Sequence, residues 1–357
     1  MTERVDAGWS VREFDGVDLG DVRLNRRLLT LAETFGAHPQ APINQASADW
    51  QSTKAAYAFF ANPHALPAEI LLPHQQRTLE RMAAHPLVLA IQDTTFLNYT
   101  HHPATTGLGP IGGGQRGLVM HSTLAATPQG LPLGVLDQQI WARPEPEKGA
   151  KRAKRRPIAE KESHKWLTAL RETVSLTPSE IRLVTIADRE ADIFAFLAEA
   201  DELSAEYVIR AAQDRRLAGE VELLWAQMAK QEVVGTVTVE VAARGGRAAR
   251  QAELQVRVAQ LTLQPPQRGA DEASVWLEPL TVWAVWLHEA VAPEGVEPLD
   301  WLLLTNVAIQ TWQDATERIG WYCLRWLIES WHKILSLIHI SEPTRRTPIS
   351  YAVFCLK

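Results

Sequence analysis

The stretch Leu87–Asp93 (LVLAIQD) decides how the fold is interpreted, and Ile181–Asp188 (IRLVTIAD) repeats its pattern. Each holds a short apolar run, which is typical of a strand buried on both faces, and each ends in an aspartate. An open α/β sheet brings polar residues together at its strand ends, where ligands bind. The two stretches therefore predict buried strands of one sheet, with an acidic site where those strands end.

Apolar periodicity predicts further elements along the chain. Residues 1–75 are predicted to be helical, since apolar residues recur at near-helical spacing from Leu19 to Leu31 and a second helix fits Asp49–Phe60. Residues 235–263 alternate apolar and polar side chains across an Arg-Gly-Gly-Arg turn, which predicts antiparallel strands. The other predicted elements are a Gly-rich loop at 107–117, strands at 119–126, 133–142, 207–212, 275–287 and 301–305, and helices at 158–174, 191–200 and 316–335. This order predicts an α/β fold, a mixed sheet flanked by helices with an antiparallel β insertion at about 213–298.

The composition is that of a globular protein. The chain has 357 residues, of which 46% are hydrophobic and 22% charged, and these fractions exclude a disordered or collagen-like chain. Only Cys323 and Cys355 are present, so no disulfide framework or zinc cluster is predicted. The first residues lack the apolar core of a signal peptide, and no apolar run approaches a membrane span. We therefore expect a cytoplasmic protein without a membrane partner.

The charge is unevenly distributed. A net charge of −6 argues against a nucleic-acid partner, but it averages over the whole surface. One basic cluster comprises Arg23, Arg26 and Arg27, and a second comprises Lys148, Lys151, Arg152, Lys154, Arg155 and Arg156. Each cluster fits either contact with a phosphate backbone or an ordinary solvated face.

The two strand-end acids suggest a metal site. Carboxylates on neighbouring strand ends repel each other unless a cation lies between them, and Mg²⁺ prefers carboxylate oxygens. A third acid on a facing helix, Glu329, would complete a two-metal site for phosphodiester attack. The alternative is structural: an Asp after a strand is commonly a turn residue or a helix N-cap, and Asp188 precedes a predicted helix.

Several strings in matching order resemble the cut-and-paste bacterial transposases of the insertion-sequence-four family, over about Trp9 to Leu335. The strings are IQDTTFLNY (Ile91–Tyr99), RGLVMHSTL (Arg116–Leu124), KESHKW (Lys161–Trp166), IADREADIFAFL (Ile186–Leu197), PLDWLLLTN (Pro298–Asn306) and the spaced set Tyr322, Arg325 and Glu329. The resemblance implies a ribonuclease-H-like fold. It also implies a helical N-terminal DNA-binding domain at 1–75 and a catalytic domain with the β insertion at 76–334.

The resemblance assigns roles at the catalytic centre. Asp93, Asp188 and Glu329 match the DDE triad, which implies that they hold two Mg²⁺ or Mn²⁺ ions. Tyr322, Arg325 and Glu329 match part of the family's Y-R-E-K signature and, on one helix, would share a face on which Tyr322 and Arg325 contact phosphates. An amphipathic helix with an Arg–Glu pair has the same spacing, so that alternative stays open.

Further residues are implied to contact DNA. Arg23, Arg26, Arg27 and Lys54 would bind the transposon end, while Arg189 and Arg210 would contact phosphates near the site. Trp301 matches a Trp that stacks near a flipped base, although a core Trp at the start of a strand fits as well. His121 fits a hydrogen bond near the site or a DNA contact. Lys161, Glu162 and Lys165 belong to a family string without an assigned role.

The resemblance fails from about Leu335 onward. Ser336 stands where the signature has Lys, and residues 335–357 interrupt the helical pattern. Reverse translation of Leu335–Arg345 and Ile349–Leu356 gives, in one frame, DNA that resembles a sequencing-library adapter. We therefore expect 335–357 to be a non-native tail on a truncated chain, which would lack part of the DNA contacts and the dimer contacts and could be inactive.

The sequence thus predicts a DNA transposase that cuts and joins transposon ends by two-metal hydrolysis and transesterification. Its partners would be double-stranded DNA, both transposon ends and target, and a second copy of the full-length chain. Two alternatives remain open: a catalytically inactive or truncated DNA-end-binding protein, and a ribonuclease-H-like nuclease unrelated to transposition.

Overall fold

The computed structural model describes residues 8–39, 41–145, 157–241, 248–266 and 277–340, the last six as backbone only. The chain divides into two compact units. Unit 1 comprises Met1–Pro86, Asp93–Lys148 and Trp326–Lys357, and unit 2 comprises Leu87–Gln92 and Gly149–Arg325. None of the described helices is long and apolar enough to cross a membrane.

Helices and strands follow one another in a mixed α/β order. The helices are α1 (Trp9–Phe14), α2 (Val22–Ala37), α3 (Ile43–Ala46), α4 (Trp50–Phe60), α5 (Pro67–Met82), α6 (His164–Leu176), α7 (Phe194–Glu202), α8 (Leu224–Ala229), α9 (Trp312–Cys323) and α10 (Trp326–Ile340). The strands are β1 (Leu87–Asn98), β2 (Gly109–Gly112), β3 (Gln115–Ala126), β4 (Pro132–Trp141), β5 (Arg182–Ala187), β6 (Glu206–Arg210), β7 (Gly235–Val241), β8 (Arg250–Leu263), β9 (Leu280–His288) and β10 (Asp300–Thr305). Short 3-10 turns occur at Ile158–Glu160 and Arg189–Ala191.

The N-terminal part of unit 1 is helical, which confirms the prediction for this region. Asp21 caps α2 by accepting the N–H of Arg23, and Asp49 caps α4 by accepting the N–H of Ser52. Both caps satisfy N–H groups that the first turn of a helix leaves without partners. Phe35 of α2 and Phe60 of α4 stack with ring centroids 6.3 Å apart, which packs the two helices together. The domain boundary predicted at 75/76 falls inside α5.

Unit 1 also contains an antiparallel meander. Strand β3 pairs with β2 and with β4, and lies next to β1. The predicted Gly-rich loop at 107–117 was wrong in part, because this segment forms β2 and a tight turn into β3. Gly113 and Gly114 make that turn with φ of +57° and +73°, a conformation that residues with a Cβ rarely adopt.

Unit 2 is built on a large mixed sheet, as predicted. Its strand order is β1-β5-β6-β10-β9-β8-β7. The strands β1, β5 and β6 are parallel, and each later neighbour is antiparallel. The predicted pairing within 235–263 is confirmed by β7 and β8, although its turn at 244–247 lies outside the described residues. These inserted strands extend the sheet through β9 and β10. Helices α6 and α7 pack on it through Trp166 and Phe196, which are almost fully buried.

Two predicted element boundaries were wrong. Strand β1 does not end at Asp93 but continues to Asn98, so Asp93 lies inside a strand. The predicted helix at 316–335 is two helices, since α9 ends at Cys323 and α10 begins at Trp326. Helix α10 then continues to Ile340, whereas the sequence pattern predicted an interruption from Leu335; residues 341–357 of the expected tail lie outside the described residues.

Candidate active site

Asp188 lies at the end of β5 in unit 2, as predicted. Its Oδ1 accepts the N–H of Glu190 at 2.8 Å, so it caps the 3-10 turn Arg189–Ala191. Asp188 therefore has the structural capping role that was one of its two predicted alternatives. The hydrogen bond orients its carboxylate at the end of β5. Arg189, the first residue of the turn, is exposed.

Lys165 holds this turn from the neighbouring helix. Its side chain is only 7% exposed, and its Nζ lies 3.2 Å from Glu190 Oε2 and 3.8 Å from Glu162 Oε1. A buried ammonium requires such partners, because leaving it unpaired in a low-dielectric site is costly. The KESHKW string thus contributes an ion-pair brace beside Asp188, which the sequence alone did not predict.

Several charged groups of unit 2 act on the pKa of the Tyr322 phenol. Burial raises the pKa of Tyr322, while the charges of Arg325 and Arg210 and a hydrogen bond with Arg325 lower it. The charge of Asp188 also acts on this group. Since burial dominates, the phenol stays protonated at neutral pH and can donate a hydrogen bond.

Trp301 and Arg210 lie beside this group. The Trp301 ring packs edge-on against Tyr322, with centroids 5.7 Å apart and planes at 65°. Arg210 donates from Nη2 to the backbone oxygen of Asp300 at 2.8 Å. Unit 2 thus brings together the predicted residues Asp188, Arg210, Trp301, Tyr322 and Arg325.

A buried clamp supports the same region, and the sequence gave no signal for it. The Asp192 carboxylate accepts the N–H groups of Ala212 and Gln213 at 2.6 and 2.7 Å, and it pairs with Arg215. Its side chain has no exposed surface. These contacts connect the turn after Asp188 to residues 212–215. That segment closely follows Arg210, the last residue of β6.

Asp93 and Glu329 both belong to unit 1. His332 of α10 is 5% exposed, and its Nδ1 lies 3.7 Å from Asp93 Oδ2. Glu329 precedes His332 by three residues, a spacing that places the two residues on one side of α10. The sequence missed His332, although its spacing of three from Glu329 was visible.

The single helical face predicted for Tyr322, Arg325 and Glu329 was wrong. Tyr322 lies in the last turn of α9, Arg325 in the connection, and Glu329 in α10. Leu324 and Arg325 lie outside both helices, and the N–H of Leu324 bonds the backbone oxygens of Gly320 and Trp321 at the end of α9.

The residue after Asp93 is anchored in the core of unit 1. Thr94 Oγ1 lies 2.9 Å from His121 Nδ1, and the His121 side chain is fully buried. Of the two roles left open for His121, the structure shows the hydrogen bond, and its burial excludes direct contact with DNA.

Carboxylates are the predicted metal ligands, and their chemistry fits a hard divalent cation. Mg²⁺ is commonly held by one or two carboxylates and keeps several waters. Within the part of the chain that the structure describes, no group of three His, Cys, Asp or Glu side chains is arranged to hold a metal ion. The two-ion site therefore stays a prediction.

The first basic cluster lies on α2, and the predicted DNA contact Lys54 lies on α4. Arg23 and Arg26 are exposed, Arg27 is half-buried, and Lys54 is exposed on α4. Hydrogen bonds from the Arg23 side chain and backbone lower the pKa of Asp21 to about 2, so Arg23 must exchange this partner to bind a phosphate. The second basic cluster lies outside the described residues.

Residues 6–65 match the family described as Transposase DNA-binding. The match covers α1 to α4 and includes Arg23, Arg26, Arg27 and Lys54. The N-terminal region is thus similar to transposase DNA-binding domains, which supports a transposase and supports DNA as its partner. We refer to residues 6–65 as the DNA-binding domain.

Proposed function

We propose that this protein is a DNA transposase of the insertion-sequence-four type that cuts and rejoins transposon ends. The match of residues 6–65 to transposase DNA-binding domains carries the proposal. The residues gathered in unit 2 support it, because an acid at a strand end stands with two arginines, a protonated tyrosine and a tryptophan. The mixed sheet flanked by helices is compatible with the ribonuclease-H-like fold that the sequence resemblance implies.

The proposal assigns Asp93, Asp188 and Glu329 as the ligands of two Mg²⁺ or Mn²⁺ ions. When bound, such ions activate the attacking oxygen and stabilise the leaving oxygen of a phosphodiester. The capped turn of Asp188 holds its carboxylate in a fixed orientation. His332 Nδ1 lies 3.7 Å from Asp93 Oδ2, so a histidine stands beside this second proposed ligand.

The neighbouring residues would orient DNA. Arg325 and Arg210 supply fixed positive charge for a phosphate, and Tyr322 supplies a hydrogen-bond donor because its phenol stays protonated. Trp301 offers an aromatic surface for a base removed from the stack. The basic residues of α2 and α4 would hold the transposon end through its phosphates. In the full-length protein, we expect two copies to pair across two ends.

Metal-dependent nicking tests this function. The substrate is a duplex that carries the inverted repeats flanking the gene, and gel shift on the same duplex reports binding. Asp188→Asn is the preferred variant, because Asn still accepts the Glu190 N–H and preserves the turn. We expect nicking to fall by roughly 10³-fold or more, since a metal ligand is lost, while the shift remains.

The matched control is Asp201→Asn, an exposed acid on α7. Its nicking rate is expected to equal that of the wild type. Equal nicking by Asp188→Asn and the wild type would overturn the catalytic assignment. A wild-type protein that shifts the duplex but never nicks it with Mg²⁺ or Mn²⁺ would be the inactive DNA-end-binding protein.

A further inference from the structure

The outward face of α4 combines exposed aromatic surface with a positive charge. Trp50 is 78% exposed and Tyr57 is 40% exposed, and Lys54 between them is also exposed. Their spacing of four and three residues places them on one side of the helix. The opposite residues Ala56, Phe59 and Phe60 are buried against the rest of the domain.

The packing among the described residues of unit 1 leaves Trp50 largely exposed. Trp50 has the largest exposed fraction of the exposed aromatic side chains among the described residues. Tryptophan and tyrosine, which combine an apolar ring with a polar group, are enriched at surfaces where a partner binds. Helix α4 gains little stability from the Trp50 side chain, because Asp49 already caps the helix and an alanine at position 50 would favour helix more strongly than tryptophan does.

The charge around this face points to a nucleic acid. Helix α4 (WQSTKAAYAFF) contains no acidic residue, and the neighbouring helix α2 carries the exposed Arg23 and Arg26. All these residues lie in the region that matches transposase DNA-binding domains. Lysine neutralises a phosphate, whereas an indole can make apolar contact with a sugar or with the groove edge of a base in a duplex.

We propose that Trp50 is a DNA-contacting residue that packs on a base or sugar of duplex DNA, next to the phosphate that Lys54 binds. This inference rests on the proposed function, since it takes DNA as the partner of the domain. The proposed DNA interface of α2 and α4 would then contain an apolar contact in addition to its charged residues. Tyr57 borders the contact one turn further along α4.

Salt-dependent affinity separates the two kinds of contact. The full chain and its variants are titrated onto a fluorescent duplex by anisotropy, in EDTA to prevent cleavage, at several salt concentrations. Trp50→Ala is expected to weaken binding about tenfold at every salt concentration without changing the slope of log K against log salt. Lys54→Ala is expected to weaken binding and to reduce that slope by about 0.9.

Two further variants control the measurement. Trp50→Phe keeps an aromatic ring and is expected to bind within about threefold of the wild type, since ring stacking persists. Leu131→Ala removes a 59% exposed side chain in the turn between β3 and β4 and is expected to leave affinity unchanged. Circular dichroism verifies that each variant is folded.

The outcomes are distinguishable. Unchanged affinity of Trp50→Ala, while the wild type binds the duplex, would overturn this inference alone. A change of oligomeric state in Trp50→Ala with unchanged DNA affinity would assign the face to a second copy and would also overturn it. Failure of the wild type to bind any duplex would instead remove the proposed function.

Discussion

The substitution Glu13→Gln tests the charged contacts that join α1 of the DNA-binding domain to α5 in unit 1. Glu13 of α1 meets His74 and Arg81 of α5, with Oε1 2.5 Å from His74 Nδ1 and Oε2 2.8 Å from Arg81 Nη1. His74 in turn accepts the N–H of Val135 through Nε2 at 2.9 Å, so the tie reaches β4. The variant keeps the size of the side chain and removes its charge.

The expected loss follows from the carboxyl pKa. Burial raises the pKa of Glu13, but hydrogen bonds from His74 and Arg81 and the charge of Arg81 outweigh burial and lower the pKa from 4.5 to about 2. This difference corresponds to roughly 3 kcal/mol, and solvent screening of a partly exposed carboxylate reduces it to about 2 kcal/mol. Because the folded pKa is depressed, the stabilisation is complete above pH 4.5 and disappears as pH falls toward 2.

Urea unfolding at several pH values measures this contribution, and amide hydrogen exchange in α1 and α5 locates it. Glu13→Gln is expected to be about 2 kcal/mol less stable than the wild type at pH 7, and the gap should close between pH 4.5 and 2. Glu172→Gln, an exposed acid in α6, should differ from the wild type by less than about 0.5 kcal/mol. A gap for Glu13→Gln that is the same at pH 7 and pH 2.5, or absent at pH 7, would refute the reasoning.

Three other substitutions test the packing of the chain, each by urea unfolding. Asp192→Ala should cost about 3–5 kcal/mol, since it leaves the largely buried Arg215 and the N–H groups of Ala212 and Gln213 without the carboxylate that they bind; a loss below about 1 kcal/mol would contradict the clamp. Gly117→Ala should cost about 2 kcal/mol or more, because its Cβ would lie 1.9 Å from the backbone oxygen of Leu97. Gly320→Ala, where a Cβ meets nothing within 4 Å in helix α9, should instead stabilise by about 0.5–1 kcal/mol, and equal effects at both glycines would be inconsistent with this packing.

The sequence predicted the features that depend on local pattern. The apolar run before Asp188 places it directly after β5, as expected of a buried strand followed by a polar residue. Alternation over 235–263 predicted the pairing of β7 with β8. A continuous apolar run predicts a strand buried on both faces, whereas alternation predicts a strand with one buried face, and neither pattern needs a distant residue.

Features that depend on tertiary structure were missed. Strand β1 continues past Asp93 because Thr94, Thr95 and Phe96 favour extended backbone, a preference that the polar side chain of Asp93 concealed. The break between α9 and α10 has no Gly or Pro to signal it. The partners Asp192 and Arg215 are 23 residues apart, and no periodicity links residues on different elements.

The position of Asp93 inside β1 restricts how the length of this segment can change. Successive side chains of a strand point to opposite faces, so deleting or inserting one residue before Asp93 would turn its carboxylate to the other side. The buried ladder from Leu87 to Ile91, which pairs residue for residue with Arg182 to Ile186, leaves no slack to absorb such a change. Natural variants of this protein should therefore vary in loop length elsewhere while keeping a constant count of residues from the start of β1 to its acid.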